Sequence, residues 1–177
     1  MRSWHAVVAA ALMPAVSACA QPQQMTSNGL PIVRDAEHRM SSTRWEVLQL
    51  PGEATPIAAI TDSTLTVLLS LGCDKSGGLL LVGPDKGPKL KNPSIKLSWD
   101  GETAAETLLE SFPATGGWVF GTAEGDPGFE PMLARLEQHQ SLDATINDAE
   151  GETLRYRFNL NGAKPAIDTV LAECNRT

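Results

Sequence analysis

Three cysteines, three histidines and 21 acidic residues are the side chains of this 177-residue chain from which chemistry could be built. A serine or cysteine nucleophile needs a histidine base and a third group to orient it. His5 belongs to an N-terminal segment expected to be removed, which leaves His38 and His139, and neither has a flanking motif. The chain also lacks a Gly-x-Ser-x-Gly elbow. Paired carboxylates could hydrolyse a glycosidic bond. Asp100, Glu102, Glu106 and Glu110 form one acidic stretch and Glu124, Asp126 and Glu130 another, but acids this frequent fall together by chance. Asp148, Glu150 and Glu152 lack the EF-hand register for calcium and read as a charged hairpin tip. Lys86, Lys89 and Lys91 lie among Pro84, Pro88 and Pro93, in a solvated loop without the glycine-rich phosphate signature. The expectation is no catalytic residue, no cofactor and no metal.

The cysteines say more. Met1 to His5 is a short basic start, and Ala6 to Val16 is an apolar run of small and branched residues. Such a run is shorter than the about 20 residues that span a bilayer, but it suits a secretory signal. Val16-Ser17-Ala18-Cys19 resembles a bacterial lipobox, in which Cys19 becomes the lipidated first residue of the mature chain. Ala18-Cys19-Ala20 also allows ordinary cleavage before Gln21, which discards Cys19. Either route exports the domain and leaves Cys73 and Cys174, an even pair in an oxidising compartment. A two-cysteine metal site is the alternative, but the spacing is wrong and no histidine is near either cysteine in sequence.

Both cysteines fall on inward positions of the elements that carry them. In the expected strand Leu65–Cys73, Leu65, Val67, Leu69, Leu71 and Cys73 alternate on one face. In the expected helix Ala166–Cys174, Ile167, Val170, Leu171 and Cys174 follow helical spacing. One bridge would staple the early strand to the last helix. Closing so long a loop removes roughly 4–5 kcal/mol of denatured-state entropy, an upper figure.

Around this staple the rest of the chain divides simply. Residues 1–20 are the signal, 21–43 a linker or tether of polar composition, and 44–177 one domain large enough for a single core. Arg44–Leu48 reads as a strand ended by Pro51-Gly52, and Pro56–Ile60 as a weaker one. Asp62-Ser63 is a turn, and Ser76-Gly77-Gly78 a hairpin turn leading to Leu79–Val82. The four consecutive apolar residues of Leu79–Val82 suggest cover on both faces. Ile95, Leu97 and Trp99 alternate as the next strand, ended by Asp100-Gly101. From Glu102 to Phe112 both a helix and a strand fit. The hairpin of Thr107–Phe112 with Trp118–Phe120 is favoured by the turn residues that flank it. Phe129, Met132, Leu133 and Leu136 mark a helix opened by Asp126-Pro127-Gly128. Leu142, Ala144 and Ile146, then Leu154, Tyr156, Phe158 and Leu160, mark a final hairpin with Arg155 and Arg157 facing out. Trp45, Trp99 and Trp118 read as core. Strands grouped rather than alternating with helices imply an α+β, mainly β fold. We expect an antiparallel β-sandwich-like domain with two helices, one of them C-terminal.

The chain gives a strand opening with Trp45, an Asp62-Ser63 turn, and an apolar strand ending in Cys73. An aromatic hairpin, a helix before the last hairpin, and an Asn161-Gly162 break before the Cys174 helix follow it. This pattern resembles small exported bacterial proteins of the invasion-associated locus B type, and type VI secretion accessory proteins of similar plan. The resemblance spans roughly Trp45 to Cys174. It implies a β-sandwich-like fold, a Cys73–Cys174 bridge and no established catalytic residues. Where such proteins follow the cysteine strand with an arginine-bearing one, this chain has Ile95-Lys96-Leu97-Ser98.

Charge narrows the partners. With Arg2 removed, 13 of the 14 basic residues face all 21 acidic ones. An acidic chain is ill-suited to nucleic acid and to an anionic lipid surface, so contact with a membrane is expected only through a lipid at Cys19. The expectation is a non-catalytic envelope (lipo)protein, periplasmic or lipid-anchored. It would bind another envelope or secreted protein, or serve an envelope or secretion assembly. A periplasmic inhibitor or immunity protein is the first alternative, and a carboxylate-dependent hydrolase the second.

Overall fold

The computed structural model describes residues 32–33, 40–50, 54–73, 78–84, 86–114 and 117–174. The segment 1–20 with Cys19, most of the linker with His38, and the expected breaks at Pro51-Gly52 and Ser76-Gly77 lie outside the described residues. Two sheets are formed. The larger runs in the spatial order β1 (Ile32–Val33), β2 (Glu46–Leu48), β3 (Ile57–Thr61), β4 (Leu68–Gly72), β5 (Gly78–Val82), β8 (Val119–Ala123) and β7 (Glu110–Phe112). The smaller runs β10 (Thr153–Asn159), β9 (Ser141–Asn147) and β6 (Ser94–Trp99). Every pairing is antiparallel except the parallel one between β1 and β2.

The fold is α+β, mainly β and sandwich-like, with helices α1 (Phe129–Gln138) and α2 (Ala163–Cys174). One face of the large sheet packs against a second layer made of the small sheet and both helices. Leu69, Leu81 and Phe120 share a core with Trp99, Ile146, Met132 and Ile167. The alternation of β9, buried at Leu142, Ala144 and Ile146, is what a sheet covered on one face demands. Trp45, Trp99 and Trp118 are all buried. The backbone N–H of Trp45 donates to the carbonyl of Asn161, which docks the start of the first long hairpin against the break before α2.

Three expectations need correction. The strand expected from Leu65 begins only at Leu68, and Leu65 itself takes φ 60° and is 55% exposed. The Asp62 carboxylate accepts the backbone N–H groups of Thr64, Thr66 and Val67, which withdraws that segment from the ladder. Leu79–Val82 is covered on one face only, because Leu79 and Leu81 are buried while Leu80 is 41% exposed. The segment expected to be weak, Pro56–Ile60, contributes the interior strand β3, with Ala58, Ala59 and Ile60 buried. Alanine has low strand propensity, but α2 packs on this strand and burial overrides the preference.

The Sγ atoms of Cys73 and Cys174 lie at bonding distance, with Cα atoms 5.4 Å apart and 101 residues between them in sequence. That separation of Cα atoms is the one an unforced disulfide adopts. The end of β4 and the end of α2 are thus brought together.

Candidate docking groove

The outward face of the large sheet is where apolar surface is left open. Register places Leu68, Val82, Val119 and Phe112 in one row, and Ser70, Leu80, Gly121 and Glu110 in the next. These residues alternate with the buried set, so they point away from the core. Leu80 is 41%, Phe112 44% and Leu50 41% exposed, and together with Ile57, Leu68 and Val119 they line a groove of about 530 Å³. Gly121 makes the floor possible. A Cβ there would come within 2.7 Å of Leu80 Cδ2 and 3.3 Å of Phe112 Cε2, so both side chains lie over a bare backbone. Among the described residues no charged side chain lines the groove. Cys73 borders it, which sets the strand-to-helix link at one end.

Polar groups gather elsewhere. Asp62 is buried, and its Oδ1 and Oδ2 accept three backbone N–H groups at 2.8–3.0 Å and the Thr64 hydroxyl. Burial opposes its charge, yet the Thr64 hydroxyl and the backbone donors of Val67, Thr64 and Thr66 outweigh it and hold the carboxyl below its usual value. A shallow recess of about 380 Å³ lies beside this loop, lined by Asp62, Ser63, Thr64, Asp143, Tyr156 and the two arginines expected to face out. Arg157 pairs with Asp143 at 3.1 Å across the β9–β10 register.

The other cluster joins His139, Asp100, Arg135, Glu106 and Trp99. Asp100 Oδ2 lies 2.9 Å from His139 Nδ1, and its Oδ1 accepts the N–H groups of Gln140 and Ser141 at 2.8 Å. The His139 bond, then the Ser141 N–H, holds the Asp100 carboxyl below its usual value. Trp99 Nε1 donates to Glu106 at 3.2 Å, and the Arg135 guanidinium closes on the same carboxylate. The His139 ring packs against Trp99, with centroids 5.5 Å apart. An Asp–His pair is half of a nucleophile-activating device. Here the other ring nitrogen faces Arg135 Nη1 at 3.5 Å rather than a hydroxyl or thiol. The arrangement fastens the end of α1 to the end of β6. Sequence reasoning missed it because the partners are brought together by tertiary packing, and only the Asp100-Gly101 turn directly after Trp99 hinted at it.

Some of the other acidic residues make local bonds. Asp126 Oδ2 accepts the Ala123 N–H ahead of α1, and Asp148 Oδ1 accepts those of Glu150 and Glu152 at the hairpin tip. Lys91 pairs with Glu150 at 3.3 Å. Among the described residues no three acidic, histidine or cysteine side chains are grouped to hold a metal, and no helix is long and apolar enough to cross a membrane.

No family model matches the chain, and a search of curated proteins returns no match. The crystal structure of invasion associated protein b from Bartonella henselae is similar, with 16% identity and a TM-score of 0.48 over 67% of this chain and 85% of that one. It is the type of protein that the residue pattern resembles.

Proposed function

We propose that this is a non-catalytic exported protein of a bacterial envelope that binds another protein through the groove of the large sheet. The observation that carries the reading is the set of exposed large apolar side chains, Leu50, Leu80 and Phe112, on one lining. Contiguous exposed apolar surface on an otherwise acidic domain is characteristic of an interaction site. Export is supported by the signal-like N-terminus and by two cysteines placed to bridge. Lipidation of Cys19 would leave residues 21–43 as a tether holding the domain off the membrane.

The test is retention from an envelope extract under non-reducing conditions, comparing the tagged wild-type chain with Leu80→Asp. A stoichiometric envelope or secretion component kept by the wild type and lost by the variant is the expected result. Identical retention by both would sink the groove as the binding surface. If the retained protein is an enzyme that the domain inhibits, the inhibitor reading replaces the accessory one.

A further inference from the structure

We infer that the groove takes an extended segment of the partner chain, added as a strand to the free edge of β7. Its apolar side chains would lie on Phe112, whose ring and Leu80 both cover Gly121, and a basic residue would face Glu110. This rests on the groove reading above and specifies its ligand.

The first reason is the edge itself. Among the described residues β7 ends the large sheet and pairs on one side only, with β8. Glu110, Ser111 and Phe112 are all exposed, and among the described residues no backbone hydrogen bond reaches β7 beyond its ladder with β8. A row of unpaired N–H and C=O groups is a template for another strand. Pro113 has no N–H to donate and limits that template to a few residues, so main-chain pairing alone gives little affinity.

The second reason is that the edge and the groove share residues. Phe112 belongs to β7 and lines the groove, and its row continues through Val119 and Val82 to Leu68. A strand lying beside β7, about 4.8 Å away, would present every second side chain to this face. A large apolar side chain there meets Phe112, whose ring shares the bare backbone of Gly121 with Leu80. Pairing by backbone at an edge with pockets for alternate side chains is an established mode of peptide capture.

Charge sets the third feature. Among the described residues Glu110 stands on the groove face of the edge, exposed and without an ion pair, and no cation lines the groove. A lysine or arginine near the apolar anchor would find Glu110, and the net charge of −7 favours such a partner over an acidic one.

A displayed library of random peptides of about a dozen residues, selected on the full chain and counter-selected on Leu80→Asp, supplies the probes. Selected peptides are then measured by fluorescence anisotropy, with backbone N-methylation at each position in turn. The expected peptides alternate apolar and polar residues and carry a lysine or arginine. Methylation at alternate positions of one register should weaken binding by about tenfold or more, and at the other register little. Glu110→Lys should weaken the same peptides several-fold, and Phe112→Ser should act with Leu80→Asp. Melting curves of each variant separate lost binding from lost fold.

Indifference to N-methylation at every position, apolar residues at helical spacing, or no peptide at all would each overturn strand addition. So would a concentration-dependent dimer of the chain abolished by Leu80→Asp, since the occupant would then be a second copy. If peptides fail while Leu80→Asp still loses its partner from the envelope extract, only the strand inference falls and the protein-binding reading stands.

Discussion

Asp62 and Gly83 show how much single residues carry in this fold. Asp62 gives the chain its turn into β4 by gathering the N–H groups of Thr64, Thr66 and Val67 on one buried carboxylate. Asp62→Ala leaves three donors without an acceptor, and we expect a loss of about 2–3 kcal/mol at neutral pH in urea unfolding. The carboxyl is held below the roughly 3.9 of an unfolded aspartate, so its contribution is present above that pH and is lost as pH falls through the folded value. The gap between wild type and variant should therefore narrow below about pH 4; a gap unchanged at low pH would mean the charge is not what stabilises the turn. At Gly83 a Cβ would come 2.4 Å from Trp118 Cε2, and the glycine N–H donates to the Trp118 carbonyl. Gly83→Ala must push a buried indole aside, and about 1–3 kcal/mol of destabilisation is expected, read as a lower melting temperature with weakened near-ultraviolet dichroism of the tryptophans. The Asp62-Ser63 turn was legible from its residue types. That Leu65 would leave the strand was not, because period-two spacing continues through a segment whose donors a carboxylate has taken.

Most elements could be read where one face is dry and the other wet. β6, β9, β10 and α1 carry clean periodicity, and the structure places their apolar positions in the core, save that Leu154 and Tyr156 of β10 are only partly buried against it. The hairpin of β7 with β8 was legible from the turn residues between them, against a helical spacing in the same stretch. Leu79–Val82 was misread for a physical reason: an apolar face awaiting a partner and an apolar face already covered have the same sequence. The groove was hidden by that ambiguity. The strand-to-helix link belongs to this scale too. Reduction of the Cys73–Cys174 pair should lower stability by up to about 4–5 kcal/mol, measured by denaturant unfolding with and without a phosphine reductant. Equal curves, or alkylation of both thiols in the untreated protein, would show that the bridge is not formed.

At the scale of the molecule, two unequal layers leave one broad face of the large sheet turned outward, and the groove with its free edge lies there. The acidic balance sets an expectation about partners, but a net charge cannot say which face binds. Where that face points depends on the N-terminus. Cys19→Ser is expected to abolish incorporation of labelled palmitate and to move the protein from the membrane fraction to the soluble periplasmic one. Unchanged fractionation would mean that ordinary cleavage discards Cys19 and leaves residues 21–43 without a lipid.

The position of the cysteine pair has a consequence for how the molecule is taken apart. Every element from β5 to α2, including both helices and the whole small sheet, lies between Cys73 and Cys174. With the pair oxidised, that part of the chain is a closed ring. A protease that cuts once in any loop of the ring opens it without releasing a piece, and the nicked chain still travels as one body on a non-reducing gel. In a compartment rich in proteases, the domain would survive its first cut whole, and its pieces would separate only when a reductant follows the protease.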